Sequence, residues 1–459
     1  CTSVPADQVH RPLGGRGYFF WMPSALHGID FWRSLGSPRH VSAPMVDQSE
    51  LPFRALTRAL GSHLTYTPML HSRIFLETEA YRMLHFDATP KERPCFAQLA
   101  GHDPEVVLRA GHMVQENVDA VDINFGCPQA IARKGRYGAF LLDEPHVMSS
   151  LVSTLYRGLD VPVTAKLRLL PSLSATVDLC RRLEDAGASV LCIHGRTREQ
   201  NKQFAGSASW SAISEVVRAV EVPVIANGGI GSFVDVAACL QATGAAAVMS
   251  SEGLLENPAL FCSNRHPQSG EYLDQDALAR LFLDECERWG GDSRLSAHRT
   301  AREREALRRK RFTDARSHLF KILHAALREH VHLRDELLNT QTLAQLRAVV
   351  EAVGETGWRQ PRFHTDDFDP SRSWYYRHRH GSADVEASDT RRDAGQDVSS
   401  ALRALREARA SGGAGAQTSV EGDDGAERRR VAGEALERRS RRRIEKKRRR
   451  RNRKLAIDM

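Results

Sequence analysis

Between residues 39 and 265 the chain alternates short apolar runs with helix-length connections, and this alternation limits its folding choices more than any other feature. The runs are Val41–Val46, Leu64–Thr67, Cys95–Leu99, Ala120–Asn124, Val163–Leu167, Val190–His194, Val224–Asn227 and Ala246–Ser250. Strands spaced in this way read as parallel βα units, with helices covering the sheet. Eight of them in roughly 230 residues favour a (β/α)8 TIM barrel over an open doubly wound sheet. No GxGxxG follows the first run, which also counts against a dinucleotide-binding Rossmann fold.

A chain of 459 residues has room for more than the barrel. Residues 1–38 read as an irregular leader, and 39–265 as the barrel. From 272 to 355 the sequence is helix-forming and rich in charge, as expected of a smaller all-helical domain. Residues 290–311 look inserted ahead of its main apolar helix, and the charged stretch 296–311 within them reads as either a solvated helix or an insertion. An aromatic and polar extension covers 356–380, and 381–459 has the small, polar, charged composition of a disordered tail.

The net charge of +8 belongs to that tail. Residues 438–454 carry 13 Lys or Arg and one Glu, a local +12, so the remainder sums to −4. Such a run reads first as a solvated block or nuclear-import signal, and second as a tether for nucleic acid. The eight cysteines are scattered without a CxxC pair, and no metal-ligand spacing, secretory signal or membrane-spanning run is visible. A reducing compartment, cytoplasmic or nuclear, is therefore expected. The chain starts at Cys1 instead of Met, so an incomplete or processed N-terminus is also expected.

In a barrel the chemistry lies at the C-terminal ends of the strands. The most specific end is Asp122-Ile123-Asn124-Phe125-Gly126-Cys127-Pro128, where Gly126 and Pro128 stop the strand and leave one thiol beside the mouth. Most lone cysteines are small buried hydrophobes, but a thiol on a rigid strand end also suits a proton donor or nucleophile. Lys166 lies in an apolar strand, where an ammonium is costly unless it meets an anion or ring acceptor. Asn227-Gly228-Gly229 is a turn in isolation. After the seventh strand, with Glu252-Gly253 after the eighth, it fits the usual phosphate site of a barrel. Gln98 offers a donor and an acceptor to a heterocycle edge, and the Gly-Arg-Thr after His194 suggests a mouth position. A phosphate site, an amide, a lysine and a histidine around one cavity fit flavin mononucleotide (FMN), with Pro44 and Met45 along the ring and Cys127 across from it.

The motifs APMVDQSELPFR (43–54), TYTPML (65–70), QLAG (98–101), DINFGCPQ (122–129), AKLR (165–168), HGRT (194–197), ANGGI (226–230) and EGLLENPALF (252–261) resemble the tRNA-dihydrouridine synthases. The resemblance implies an FMN barrel followed by a helical tRNA-binding domain, reducing the C5=C6 bond of uridines with NADPH as reductant. It implies hydride transfer from flavin N5 to uracil C6 and a proton from Cys127 to C5. It also implies FMN contacts from Pro44, Met45, Val46, Gln98, Lys166, His194, Asn227, Gly228, Gly229, Glu252 and Gly253, with Asn124 and Arg168 near flavin and uracil. The loop Ser251–Leu254, TYTPML and the segment Ala315–Lys321 are similar to the eukaryotic branch acting on D-loop uridines 16 and 17. In that segment Arg316, His318 and Lys321 are expected substrate contacts, in a protein expected to be monomeric. Two other readings share the barrel: an FMN oxidoreductase of a free pyrimidine, and an RNA-binding protein without catalysis. The joint presence of Cys127, Lys166 and His194 weighs against the second, and the cationic helix and tail weigh against the first.

Overall fold

The computed structural model describes residues 26–201, 205–290, 300–358 and 373–375. The expected tail 381–459, most of the 356–380 extension and the first 25 residues lie outside the described residues. No helix among the described residues is long and apolar enough to cross a membrane.

The strands are β1 (His40–Ser42), β2 (Thr65–Tyr66), β3 (Leu70–His71), β4 (Cys95–Ala100), β5 (Ala120–Phe125), β6 (Val163–Leu169), β7 (Ala188–Thr197), β8 (Val224–Asn227) and β9 (Ala247–Ser250). All pair in parallel, in the order β1-β9-β8-β7-β6-β5-β4-β2. A parallel bridge between Val41 and Leu64 joins the two ends, with Ser42 N–H donating to Leu64 O at 2.9 Å. The result is the expected (β/α)8 barrel.

Three strands differ most from their sequence reading. The first ends at Ser42, because Pro44 has no N–H to continue the ladder and Asp47 adopts a left-handed φ of 55°. The second run, Leu64–Thr67, holds β2, and a further short strand beyond it, β3, also pairs with β4. Pro68 separates them, and the Thr67 hydroxyl accepts from Gln98 N–H at 3.2 Å in the gap. The sixth run extends past His194 to Thr197 through a register shift opposite Arg168 and Leu169.

Side-chain alternation divides the barrel into two apolar compartments. Ile123, Phe125, Ala165 and Leu167 face the surrounding helices, whereas Phe96, Ala120, Val190, Cys192, Ile225 and Met249 fill the interior. The leader is not wholly irregular. Gly28–Ser34 is a helix whose buried Phe31 and Trp32 join the interior cluster, with Phe31 stacked 5.8 Å from Phe96. Phe96, Ala120 and Val190 lie at strand starts, so this helix closes the end of the barrel away from the mouth.

After the barrel come helices Gln275–Gly290, Ala301–Ile322, His324–Glu329, Val331–Asn339 and Leu343–Glu355. The first buries Leu278, Ala279, Phe282, Leu283 and Cys286 at helical spacing, and the last buries Leu346, Val349, Val350 and Val353. Residues 301–311, which resembled an insertion, form the first half of the helix that carries 315–321. A Thr300–Glu303 capping box starts that helix. These helices share one continuous apolar cluster with the barrel helix Leu51–Ala59. Within that helix Arg54 is fully buried and pairs with Glu92, Asp87 and the carbonyl of Ser49. Breaking such an enclosed ion pair costs about 3–5 kcal/mol, so Arg54 anchors the turn after β1 under the helices.

Candidate active site at the barrel mouth

The interior positions become polar toward the C-terminal ends of the strands. Gln98, Asp122 and Thr164 lie side by side on β4, β5 and β6, all buried. The Thr164 hydroxyl donates to Asp122 Oδ1 (2.7 Å), and Gln98 Nε2 donates to Asp122 Oδ2 (2.8 Å). Gln98 Oε1 accepts from Asn124 Nδ2 (2.7 Å), and Asn124 Oδ1 accepts the N–H groups of Gly126 (3.1 Å) and Cys127 (2.9 Å). A chain of oriented hydrogen bonds therefore runs from a buried carboxylate to the backbone of the loop that carries Cys127. Burial raises the Asp122 pKa to about 6, against the pull of Gln98 and Thr164.

The Cys127 loop is held from its other side as well. Ala139 N–H donates to Cys127 O at 3.0 Å. Gly138 has a φ of 68°, and a Cβ there would come within 2.7 Å of that carbonyl. The thiol is half-buried, and burial pushes its pKa upward more strongly than Arg168 and Lys166 draw it down. Cys127 is therefore a thiol at neutral pH, as a proton donor requires.

On β6, the neighbour of β5, Lys166 Nζ donates to Asn227 Oδ1 on β8 at 2.9 Å, while Asn227 Nδ2 donates to Met249 O at 2.9 Å. The carbonyl of Met249 can only accept, so it fixes the amide orientation and turns the Asn227 oxygen toward the lysine. Burial lowers the Lys166 pKa. Arg168 uses its guanidinium on the carbonyls of Gly126 (2.9 Å), Thr197 (2.8 Å) and Gln200 (3.0 Å), bracing the loops after β5 and β7. Burial, then Arg196, bring Arg168 down to about 10, so it keeps its charge at neutral pH. Arg196 Nη1 lies 3.1 Å from His194 Nε2. Guanidinium nitrogens only donate, so Nε2 is the acceptor and His194 carries its proton on Nδ1.

The turn after β8 requires glycine. Gly228 and Gly229 have φ of 103° and 80°, and a Cβ on Gly228 would meet His194 Cδ2 at 2.8 Å and Ala208 Cβ at 3.0 Å. The Trp210 indole N–H donates to Gly228 O at 3.0 Å and pins the turn. Behind it, Ser250 Oγ donates to Ile230 O at 2.9 Å, and a Cβ on Gly253 would strike that same carbonyl at 2.7 Å.

These groups surround a cavity of about 710 Å³. Arg168, His194, Asn227, Gly228, Gly229 and Glu252 line it, as do Pro128 and Gln129 beside Cys127. Gln98, Asn124, Lys166 and Cys127 lie outside its lining: Lys166 is bonded to Asn227 and Cys127 adjoins Pro128, whereas Asn124 and Gln98 connect to it only through the Cys127 loop. Pro44, Met45 and Val46 lie on the turn after β1, and Gly253 is buried in the helix Glu252–Glu256; none of the four lines it. The expected helical contacts separate in space. Arg316 donates to the carbonyls of Leu338 and Thr340 and sits 5.2 Å from the Phe312 ring. Lys321 bonds Ser317, whose hydroxyl accepts from Gln48 on the turn after β1. His318, expected to touch substrate, has no exposed surface. It stacks 4.4 Å from Phe53 and lies 2.9 Å from Glu50, which makes it part of the joint between barrel and helices. Asp122, Thr164, Arg196 and Trp210 were not among the expected site residues. The alternation Asp122-x-Asn124 beside Gln98 would have pointed to the first of these.

A parallel barrel with a thiol, an amine and a glycine cradle around one mouth has the layout of a barrel enzyme. A model of the dihydrouridine synthase (Dus) family matches residues 41–355. A tRNA-dihydrouridine(16/17) synthase-like protein of Rattus norvegicus is 42% identical over 331 residues, 72% of this chain and 70% of that one. The tRNA-dihydrouridine(16/17) synthase of Schizosaccharomyces pombe is 38% identical over 316 residues, covering 68% and 76% of the two chains. That of Saccharomyces cerevisiae is 36% identical over 352 residues, covering 73% and 79%. The chain belongs to the dihydrouridine synthase family, and it is an oxidoreductase.

Proposed function

We propose that this chain is an FMN-dependent tRNA-dihydrouridine synthase, reducing uridines 16 and 17 of the D-loop with NADPH as the source of electrons. The observation that carries the reading is the gathering at one mouth of the Cys127 loop after β5, Lys166 on the adjacent β6 and, bonded to Lys166, Asn227 at the start of the glycine turn after β8. The relatives' names, which carry dihydrouridine 16/17 and NAD(P)(+), support the substrate and reductant.

The residues present fit FMN. The turn Gly228-Gly229 lines the cavity and has left-handed φ of 103° and 80°, the glycine-dependent backbone that suits a phosphate cradle. Lys166 has two N–H donors beyond the one given to Asn227, suited to electron-rich ring atoms. FMN bound there supplies the hydride for uracil C6. Cys127 holds the proton for C5, and the bonds from Asn124 keep its loop in place. Arg168, charged and braced on three carbonyls, offers a fixed cation at the cavity wall. A duplexed base cannot enter such a cavity, so the target uridine must leave the stack. A second cavity, of about 800 Å³, includes Arg308, Arg309, Arg311 and Arg316 in its wall, with Glu305 and Asp314. The four arginines suit an RNA backbone.

The test is purification of the full chain followed by reaction with tRNA from cells lacking dihydrouridine. Flavin absorbance, and NADPH-dependent dihydrouridine at positions 16 and 17 by mass spectrometry, are expected. A colourless protein that takes up no FMN would sink the reading, and product confined to other positions would remove the positional assignment.

A further inference from the structure

The site is not completed by the barrel and helices alone, because Tyr375 also lines the 710 Å³ cavity. It lies beyond residues 41–355, the part of the chain matched by the family. Tyr375 is 5% exposed and Ser373 1%, so these residues are inserted into the protein. Their anchor is Glu256, at the end of the helix Glu252–Glu256 and itself only 1% exposed. Glu256 Oε2 accepts from Ser373 Oγ (2.6 Å) and Tyr375 N–H (2.8 Å), and Oε1 accepts from Trp374 N–H (3.0 Å). A buried carboxylate is costly without donors, and here three consecutive residues supply them. Lys321 Nζ lies 5.8 Å from the centre of the Trp374 ring, adding a contact from the helical part.

The topology places this anchor on one side of the mouth. In the closed order β1-β9-β8-β7-β6-β5-β4-β2, β9 stands four places from β5, across the barrel. The helix bearing Glu256 follows β9, next to the glycine turn after β8. The Cys127 loop follows β5, on the opposite wall.

We propose that Tyr375 is an aromatic wall of the cofactor site, covering the ribityl-phosphate arm of FMN, and that Glu256 is the positioning residue that holds it there. This rests on the FMN reading above. The ring supplies a broad, rigid surface with few rotatable bonds, which suits retention of a flexible arm. The segment 373–375 is then part of the catalytic unit, and a chain cut after the last helix lacks one wall of its site.

The experiment is fluorescence titration of FMN into the flavin-stripped full chain. Tyr375→Ala is expected to weaken FMN binding at least tenfold, and Tyr375→Phe to stay within threefold of wild type. Glu256→Ala is expected to match Tyr375→Ala, with the double variant no weaker than either, because Glu256 acts through the same ring. In wild type, amide exchange at 373–375 is expected to slow when FMN is added, a readout that does not depend on any variant folding. Wild-type affinity in Tyr375→Ala, or unchanged exchange on adding FMN, overturns the proposal. Additive losses in the double variant remove Glu256 from it. A wild-type chain that takes up no FMN fails the cofactor reading itself, which is a separate result.

Discussion

Asn124→Ala is the sharpest probe of how this fold holds its thiol. The change removes three hydrogen bonds, two to the N–H groups of Gly126 and Cys127 and one to Gln98 Oε1. Gln98 is fully buried, so its oxygen loses its partner with no water to replace it, at about 1–3 kcal/mol. The two N–H groups are part-buried beside the cavity, and each loses about 0.5 kcal/mol once water substitutes. The sum is about 2–4 kcal/mol, or about 4–8 °C in Tm at roughly 2 °C per kcal/mol for a domain of this size. Cys127 remains in the chain but its loop is no longer registered to β4. A displacement of about 1 Å at a reacting group costs roughly 10²-fold in rate. Differential scanning calorimetry and single-turnover dihydrouridine formation measure both effects. A Tm drop below about 1 °C with an unchanged rate would refute the reasoning. The loop would then be set by Gly138, Ala139 and Arg168.

Other consequences are equally direct. Cys127→Ala is expected to retain FMN and to lower dihydrouridine formation roughly 10²- to 10⁴-fold, the usual range for a lost general acid; an undiminished rate removes the thiol from the mechanism. Asp122→Asn keeps both neighbours, since its amide can donate to Thr164 while its carbonyl accepts from Gln98. The Asp122 pKa of about 6 lies above that of an unfolded carboxylate, so the native state holds a proton the unfolded chain releases between about pH 4 and 6. Wild type therefore loses stability as pH rises through that window and Asp122→Asn does not, a difference of about 1–3 kcal/mol that levels off above about pH 7. Denaturant midpoints that track each other across that range would show that the carboxylate is not penalised. Deleting residues 434–459 removes the +12 run, so tRNA affinity is expected to fall mainly at low salt, with a shallower salt dependence and unchanged FMN affinity. Loss of flavin in that truncation would contradict the placement of the site in the barrel.

What the sequence revealed and what it concealed follow from the range of the interactions involved. β8 was legible to the residue, and β4, β5 and β9 to within one residue, because buried parallel strands bounded by Gly, Pro or Asn announce themselves locally. The Glu256 anchor had no such signature, since its partners lie 117 to 119 residues downstream. The Gly228 turn was visible, but Trp210, which pins it, sits 18 residues earlier on a separate helix. His318 is the instructive case, because its place was encoded in the sequence and outweighed by its charged company. Ala315, His318, Leu319 and Ile322 are all buried and fall at i, i+3, i+4 and i+7, a complete apolar stripe. Ser317 and Lys321, four apart, share another face, where Lys321 donates to the Ser317 hydroxyl that also accepts from Gln48 on the turn after β1. The helical period thus assigns roles within one motif: His318 joins the helices to the barrel at Phe53, and Lys321 is left beside Ser317 and the Trp374 ring. A polar residue in a substrate-like motif is best placed by its helical phase before its chemistry is considered, because a buried ring at 4.4 Å from Phe53 can set the angle between helix and barrel but cannot touch a polymer.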